Sequence, residues 1–214
     1  MKTPLASLAL LAIASPAFAH HPLDGMPMQT VSHGLLSGLG HSILGFDHLF
    51  FVIAVGVAAL FTANRFLTPA AYIAAMLLGC ALMSAGIGLP VKEAMIALSL
   101  LGIGAVLMSG RALGPVGTLL VFAGFGLFHG SAFGDSLATQ ESTAGLGVLM
   151  GYLVGLGVVQ YLIAVIAGHC ARAALNATRA DAVNTRLIGA VVAGVGLFLC
   201  LERLEGPVLA LLIG

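Results

Sequence analysis

The sequence predicts an all-α polytopic membrane protein, a bundle of about six transmembrane helices behind a cleavable signal peptide. Three observations carry this. The 214-residue chain is 60% hydrophobic and only 7% charged, where a soluble domain has roughly 25% charged residues. Six apolar segments follow one another, each near the roughly 20 residues that a spanning helix needs. The basic residues then fall unevenly between alternate connections, as they do between the two sides of a membrane.

Residues 1–19 have the form of a secretory signal peptide. Lys2 gives the positive start, 5–14 is a short apolar run, and Ala17-Phe18-Ala19 is an A-x-A cleavage site. The run is too short to cross about 30 Å of hydrocarbon. Cleavage after Ala19 would leave a mature chain that starts His20-His21-Pro22 on the periplasmic side, with 20–214 as a single transmembrane domain. Residues 20–33 are polar, with Pro22, Gly25 and Pro27 as breakers. The predicted spans are 35–61, 69–89, 93–109, 113–134, 144–168 and 187–204. The tail 207–214 is apolar but too short to cross, so it is expected in the interface or against the bundle.

With the mature N-terminus outside, the cytoplasmic connections hold Arg65, Arg111, Arg172, Arg179 and Arg186. The exterior connections and ends hold only Lys92 and Arg203 as basic residues, beside Asp24, Glu93, Asp135, Glu141, Glu202 and Glu205. The signal peptide and the loop charges independently give both mature termini in the periplasm of a bacterial inner-membrane protein. Formal net charge is zero, which gives no reason to expect a nucleic-acid partner. Cys80, Cys170 and Cys200 form no C-x-x-C pair and read as small packing residues. The 29 glycines suit membrane helices, where they let backbones approach closely. Gly147, Gly151 and Gly155 form a double G-x-x-x-G, and Gly124, Gly126 and Gly130 thin the fourth span beside a histidine.

The chemistry concentrates in two stretches. His41-Ser-Ile-Leu-Gly-Phe-Asp47-His48 lies in the outer half of the first span. Phe128-His129-Gly130-Ser131-Ala132-Phe133-Gly134-Asp135 lies at the outer end of the fourth. The two spans run in opposite directions, so His41, Asp47, His48 and His129 fall at similar depth and are predicted to form one metal site. Ionisable groups inside hydrocarbon are costly and carry function when they are present. Imidazole with carboxylate is a sound ligand set for Ni, Co or Zn. On a regular helix His41 and His48 share a face about 10.5 Å apart along the axis, and one ion could join them only if Gly45 loosens the turn between. Asp47 points to another face, as a ligand or as an acceptor that orients a ring. His20, His21 and His33 are further candidate metal ligands. Asp135 is a candidate at the outer mouth, at or beyond the helix end. His169 reads as a cap at a helix C-terminus, and Gln160 and Tyr161 as hydrogen-bonding groups within the fifth span.

These motifs resemble those of the HupE/UreJ family of nickel and cobalt permeases. The resemblance runs along nearly the whole chain: a signal peptide, a histidine soon after it, and about six membrane helices. The family's H-x5-D-H is matched by His41, Asp47 and His48. Its F-H-G-x-A-H-G-x-E is matched at Phe128, His129, Gly130, Ala132 and Gly134, with Phe133 in place of the second histidine and Ser136 in place of the glutamate.

The resemblance implies a secondary permease that imports Ni²⁺ or Co²⁺ for maturation of a metalloenzyme such as hydrogenase or urease. Its implied partners are the divalent ion, the lipid bilayer and a cytoplasmic metallochaperone or maturation protein, with no prosthetic group. No G-x-x-x-x-G-K-[ST] loop occurs in the sequence, so the chain carries no P-loop for ATP drive. A negative-inside potential would assist a divalent cation by about 4.6 kcal/mol per 100 mV. Two other classes fit the same residues. An intramembrane zinc hydrolase would use His41, His48, His129 and Asp47 as ligands and base, and a haem electron carrier would use histidine axial ligands.

Overall fold

A computed structural model of the chain describes residues 28–140 and 145–213. The expected signal peptide, His20 and His21 lie outside the described residues. The described residues form seven α-helices and no strand. They are α1 (Val31–Leu44), α2 (Phe46–Ala59), α3 (Leu67–Ser84), α4 (Lys92–Ser109), α5 (Pro115–Gln140), α6 (Leu146–Ala173) and α7 (Val183–Ile213). Five of the helices are long and apolar enough to cross a membrane, and α1 with α2, bent by 79° at Gly45, pass the same length and composition test together, which gives five to six candidate spans. The polytopic helical bundle expected from composition is the observed fold.

The bend falls within the segment 35–61 that the sequence reads as the first span. Thr30 starts α1, its hydroxyl accepting from His33 N at 3.2 Å. At Gly45 the backbone turns extended, with φ −79° and ψ 91°. Glycine is a poor helix residue, about 1 kcal/mol worse than alanine. Space there is also tight: a Cβ at Gly45 would lie 3.1 Å from His48 Cδ2 and 3.3 Å from His41 O, so those neighbours would have to shift slightly. The chain restarts as α2 with Asp47 in its first turn, where the positive end of the helix dipole favours a carboxylate. Asp47 Oδ1 accepts from His48 N at 2.8 Å.

Two further boundaries differ from expectation. The fourth span continues beyond 134 to Gln140, so Asp135 sits within α5. The tail 207–214 is not a separate element: α7 runs unbroken to Ile213. At 1.5 Å per residue α7 is about 46 Å long, more than the hydrocarbon core of about 30 Å.

Packing is close because backbones meet at glycines. The most extensive pairs are α3 with α5, α4 with α7, and α1 with α6. In the last pair Gly34 and Gly38 lie against the backbone of Val148 and Tyr152, while Gly151 and Gly155 lie against the carbonyls of Val31 and Leu35. The G-x-x-x-G run of the fifth span thus packs within the chain, as expected. In α5, Gly126 and Gly130 meet the carbonyls of Tyr72 and Met76, whereas Gly124 faces open space. The opposite face of α6 shows Leu146, Met150, Val154, Val158, Leu162 and Ile166 outward, an i, i+4 stripe of apolar side chains suited to lipid. Helix α2 sits at the centre and touches α1, α3, α4, α6 and α7.

The charged groups separate by end. At one end Lys92 pairs with Asp135 and Arg203 with Glu93, both at 2.8 Å. At the other, Arg179 holds Asp181 at 2.7 Å and Arg186 Nε donates to Met108 O at 3.0 Å. This is the division that alternate connections require.

Candidate metal site

The centre of the site is a pair of imidazoles from two spans. His48 Nδ1 lies 2.7 Å from His129 Nδ1, and both residues are buried. Gly130, next to His129, brings α5 onto the Met76 backbone of α3, and the bend at Gly45 turns His48 inward from the start of α2. Phe51 stacks on the His129 ring at 4.3 Å between centroids. Ser99 of α4 closes the far side, its Oγ 2.9 Å from His129 Nε2.

One pair of neutral tautomers satisfies these contacts: Ser99 Oγ donates to Ile96 O at 2.7 Å and accepts from His129 Nε2–H, and His129 Nδ1 accepts from His48 Nδ1–H. In that pair His48 Nε2 carries the lone pair, 4.0 Å from Asp47 Oδ1. Unprotonated imidazole nitrogen beside carboxylate oxygen is a donor set for a borderline divalent cation. The Asp47 side chain is 30% exposed against 8% for His48, so the carboxylate marks the accessible side.

His41 stands apart from this pair. The Phe133 ring lies between, edge-on to His41 at 5.2 Å and tilted over His48 at 4.1 Å. His41 Nδ1 is 3.4 Å from the Tyr152 hydroxyl, which also reaches Phe133 O at 3.3 Å. The structure therefore joins His48, His129 and Asp47 and sets His41 across a buried phenyl ring. Among the described residues no three of the His, Cys, Asp and Glu side chains gather around one point.

The other candidates lie elsewhere. His33 is in the first turn of α1, its Nδ1 accepting from Gln29 N at 3.3 Å, and is about 12 Å along the axis from His41. Asp135 pairs with Lys92 within α5, not past its end. His169 is exposed near the end of α6. Gln160 accepts from the Tyr72 hydroxyl at 2.7 Å, and Tyr161 donates to Phe66 O at 3.1 Å. The Tyr72 and His129 rings meet edge to face with centroids 6.1 Å apart. Ser99, Tyr72 and Tyr152 were missed from sequence. Their signal was a polar group in mid-span, which a low-dielectric interior obliges to find a partner.

Fold and site together define a multi-pass helical membrane protein with a buried histidine pair and an adjoining carboxylate. The family model for HupE / UreJ protein matches residues 8–199, and the chain belongs to that family. It is similar to Protein HupE of Rhizobium leguminosarum bv. viciae, 30% identical over 193 residues, covering 89% of this chain and 93% of that protein. No solved structure matches.

Proposed function

We propose that the chain is a secondary permease that carries Ni²⁺ or Co²⁺ from periplasm to cytoplasm through the site at His48. The observation that carries this is the placement of His48, its Nε2 4.0 Å from Asp47 Oδ1 and its Nδ1 2.7 Å from His129 Nδ1. Asp47, part-exposed, attracts the hydrated cation. His48 Nε2 takes it as water is shed. Onward movement requires the His48–His129 hydrogen bond to open, which frees the His129 Nδ1 lone pair as the next ligand. His41, with Tyr152, is the station on the other side of Phe133. Asp135, His33 and the mature His20 and His21 act as capture groups toward the periplasm. The metal is the cargo, destined for a hydrogenase- or urease-type enzyme through a cytoplasmic maturation protein.

A transit site must bind firmly enough to admit an ion and weakly enough to release it. Few ligands at a time suit that. A hydrolytic zinc centre instead needs three fixed protein ligands and an open position, a set that the described side chains do not bring together. The family match also favours transport.

The test is uptake of radiolabelled nickel and cobalt by proteoliposomes that contain the purified chain, with each metal competed against the other. Saturable uptake that follows a negative-inside potential is the expected result. Lipid hydrolysis by zinc-loaded protein with no metal uptake would overturn the reading.

A further inference from the structure

At the arginine-rich end of the bundle a cavity of about 340 Å³ opens between α2 and α6. Arg65, His169 and Arg172 line it, together with Gly56 and Gly168. The two glycines are where α2 and α6 meet backbone to backbone, Gly56 against Ala164 O and Gly168 against Gly56 O. Phe66 and Ile166 form an apolar rim and are 48% and 57% exposed. Ile166 belongs to the outward stripe of α6, so the cavity is continuous with the lipid-facing surface.

The charge of the cavity lining is wholly basic. Lys92, Arg179 and Arg203 each have a carboxylate partner, whereas Arg65, Arg111, Arg172 and Arg186 have none among the described residues. Of these four, Arg65 and Arg172 line one cavity together, and no acidic side chain lines it. The Arg65 guanidinium lies 4.8 Å above the Phe66 ring, which fixes it at the rim. His169 is about 35 Å along α6 from Leu146, past the hydrocarbon thickness of about 30 Å and so at headgroup level. Two guanidiniums repel a divalent cation, so the cavity does not extend the metal path. They match a phosphate instead, which arginine binds with paired N–H donors.

We propose that this cavity binds the headgroup phosphate of an acidic phospholipid, with an acyl chain laid along the α6 stripe. Basic pockets between membrane helices suit anionic headgroups, and here the apolar rim supplies the place for the chain. The site is independent of the transport reading.

The test uses the full chain, delipidated in mild detergent. Phosphatidylglycerol, phosphatidylcholine or inorganic phosphate is added, and retained lipid is counted by native mass spectrometry beside the thermal unfolding midpoint. Phosphatidylglycerol should be retained and should raise the midpoint, while phosphatidylcholine and inorganic phosphate do neither. Arg65→Gln/Arg172→Gln should weaken apparent phosphatidylglycerol affinity at least tenfold, and Arg111→Gln should not. If the double variant is not monodisperse, Arg172→Gln alone, read the same way, carries the test. Wild-type retention by the variant would overturn the proposal. So would an equal response to inorganic phosphate, which would make the cavity a simple anion pocket.

Discussion

The two sides of the Phe133 ring differ in what their histidines meet. On one side His48 and His129 share a 2.7 Å hydrogen bond that continues through Ser99 to the α4 backbone. On the other, His41 meets Tyr152 at 3.4 Å, a long and weak contact by ordinary hydrogen-bond geometry. Both sides come from one bent span, with α1 carrying His41 and α2 carrying His48. The difference teaches that proximity in sequence is not what builds the site. Gly45 sends two histidines of one motif to different neighbours, and the closest partner of His48 is 81 residues away.

The largest effect is expected on the side of His48 and His129. His129→Ala should lower nickel and cobalt uptake by at least 100-fold, since loss of a mere orienting partner already costs 10- to 100-fold in metal affinity. It also leaves the buried His48 Nδ1 without its partner, at a stability cost of about 1–3 kcal/mol. Uptake normalised to protein in the membrane separates the two effects. The comparison itself is tested by a double-mutant cycle. His48→Ala/His129→Ala should be little worse than either single variant, and His41→Ala/His48→Ala should come closer to additive. The reverse pattern would mean that Phe133 separates nothing.

Phe133→His would put an imidazole where the ring now divides the histidines. Equilibrium metal binding should tighten by about tenfold while maximal uptake falls, because a station that holds its ion passes it on slowly. Gly45→Ala should have a smaller effect. Its Cβ would press on His48 Cδ2 at 3.1 Å, so a few-fold loss of uptake is expected with normal insertion. The smallest effect is expected for Asp135→Asn. It breaks a part-exposed ion pair with Lys92, worth about 0–1 kcal/mol, and should raise the apparent KM with little change in maximal rate.

Much of this was legible in the sequence. The apolar segments, the G-x-x-x-G run of α6 as a close-packing face, and the shared depth of His48 and His129 follow from composition, spacing and span direction. Gly45 was visible as the weak point of the first span, but the 79° angle was not. Helix rotation was the hidden quantity. A membrane helix is apolar on nearly every side, so the sequence does not say which face meets which neighbour. Phe133 therefore could not be set between two histidines in advance, nor Ser99 behind His129. Asp135 was misjudged because α5 continues as helix past the point where its apolar run ends.

The measurement that tests the central claim most directly is radiolabelled nickel and cobalt uptake by proteoliposomes bearing His48→Gln or His129→Gln, at protein densities matched to wild type. Glutamine keeps a polar side chain of similar reach but removes the imidazole nitrogen. If the His48–His129 pair is the station through which the ion passes, both variants should take up metal no faster than protein-free vesicles. Wild-type uptake by both would contradict the account.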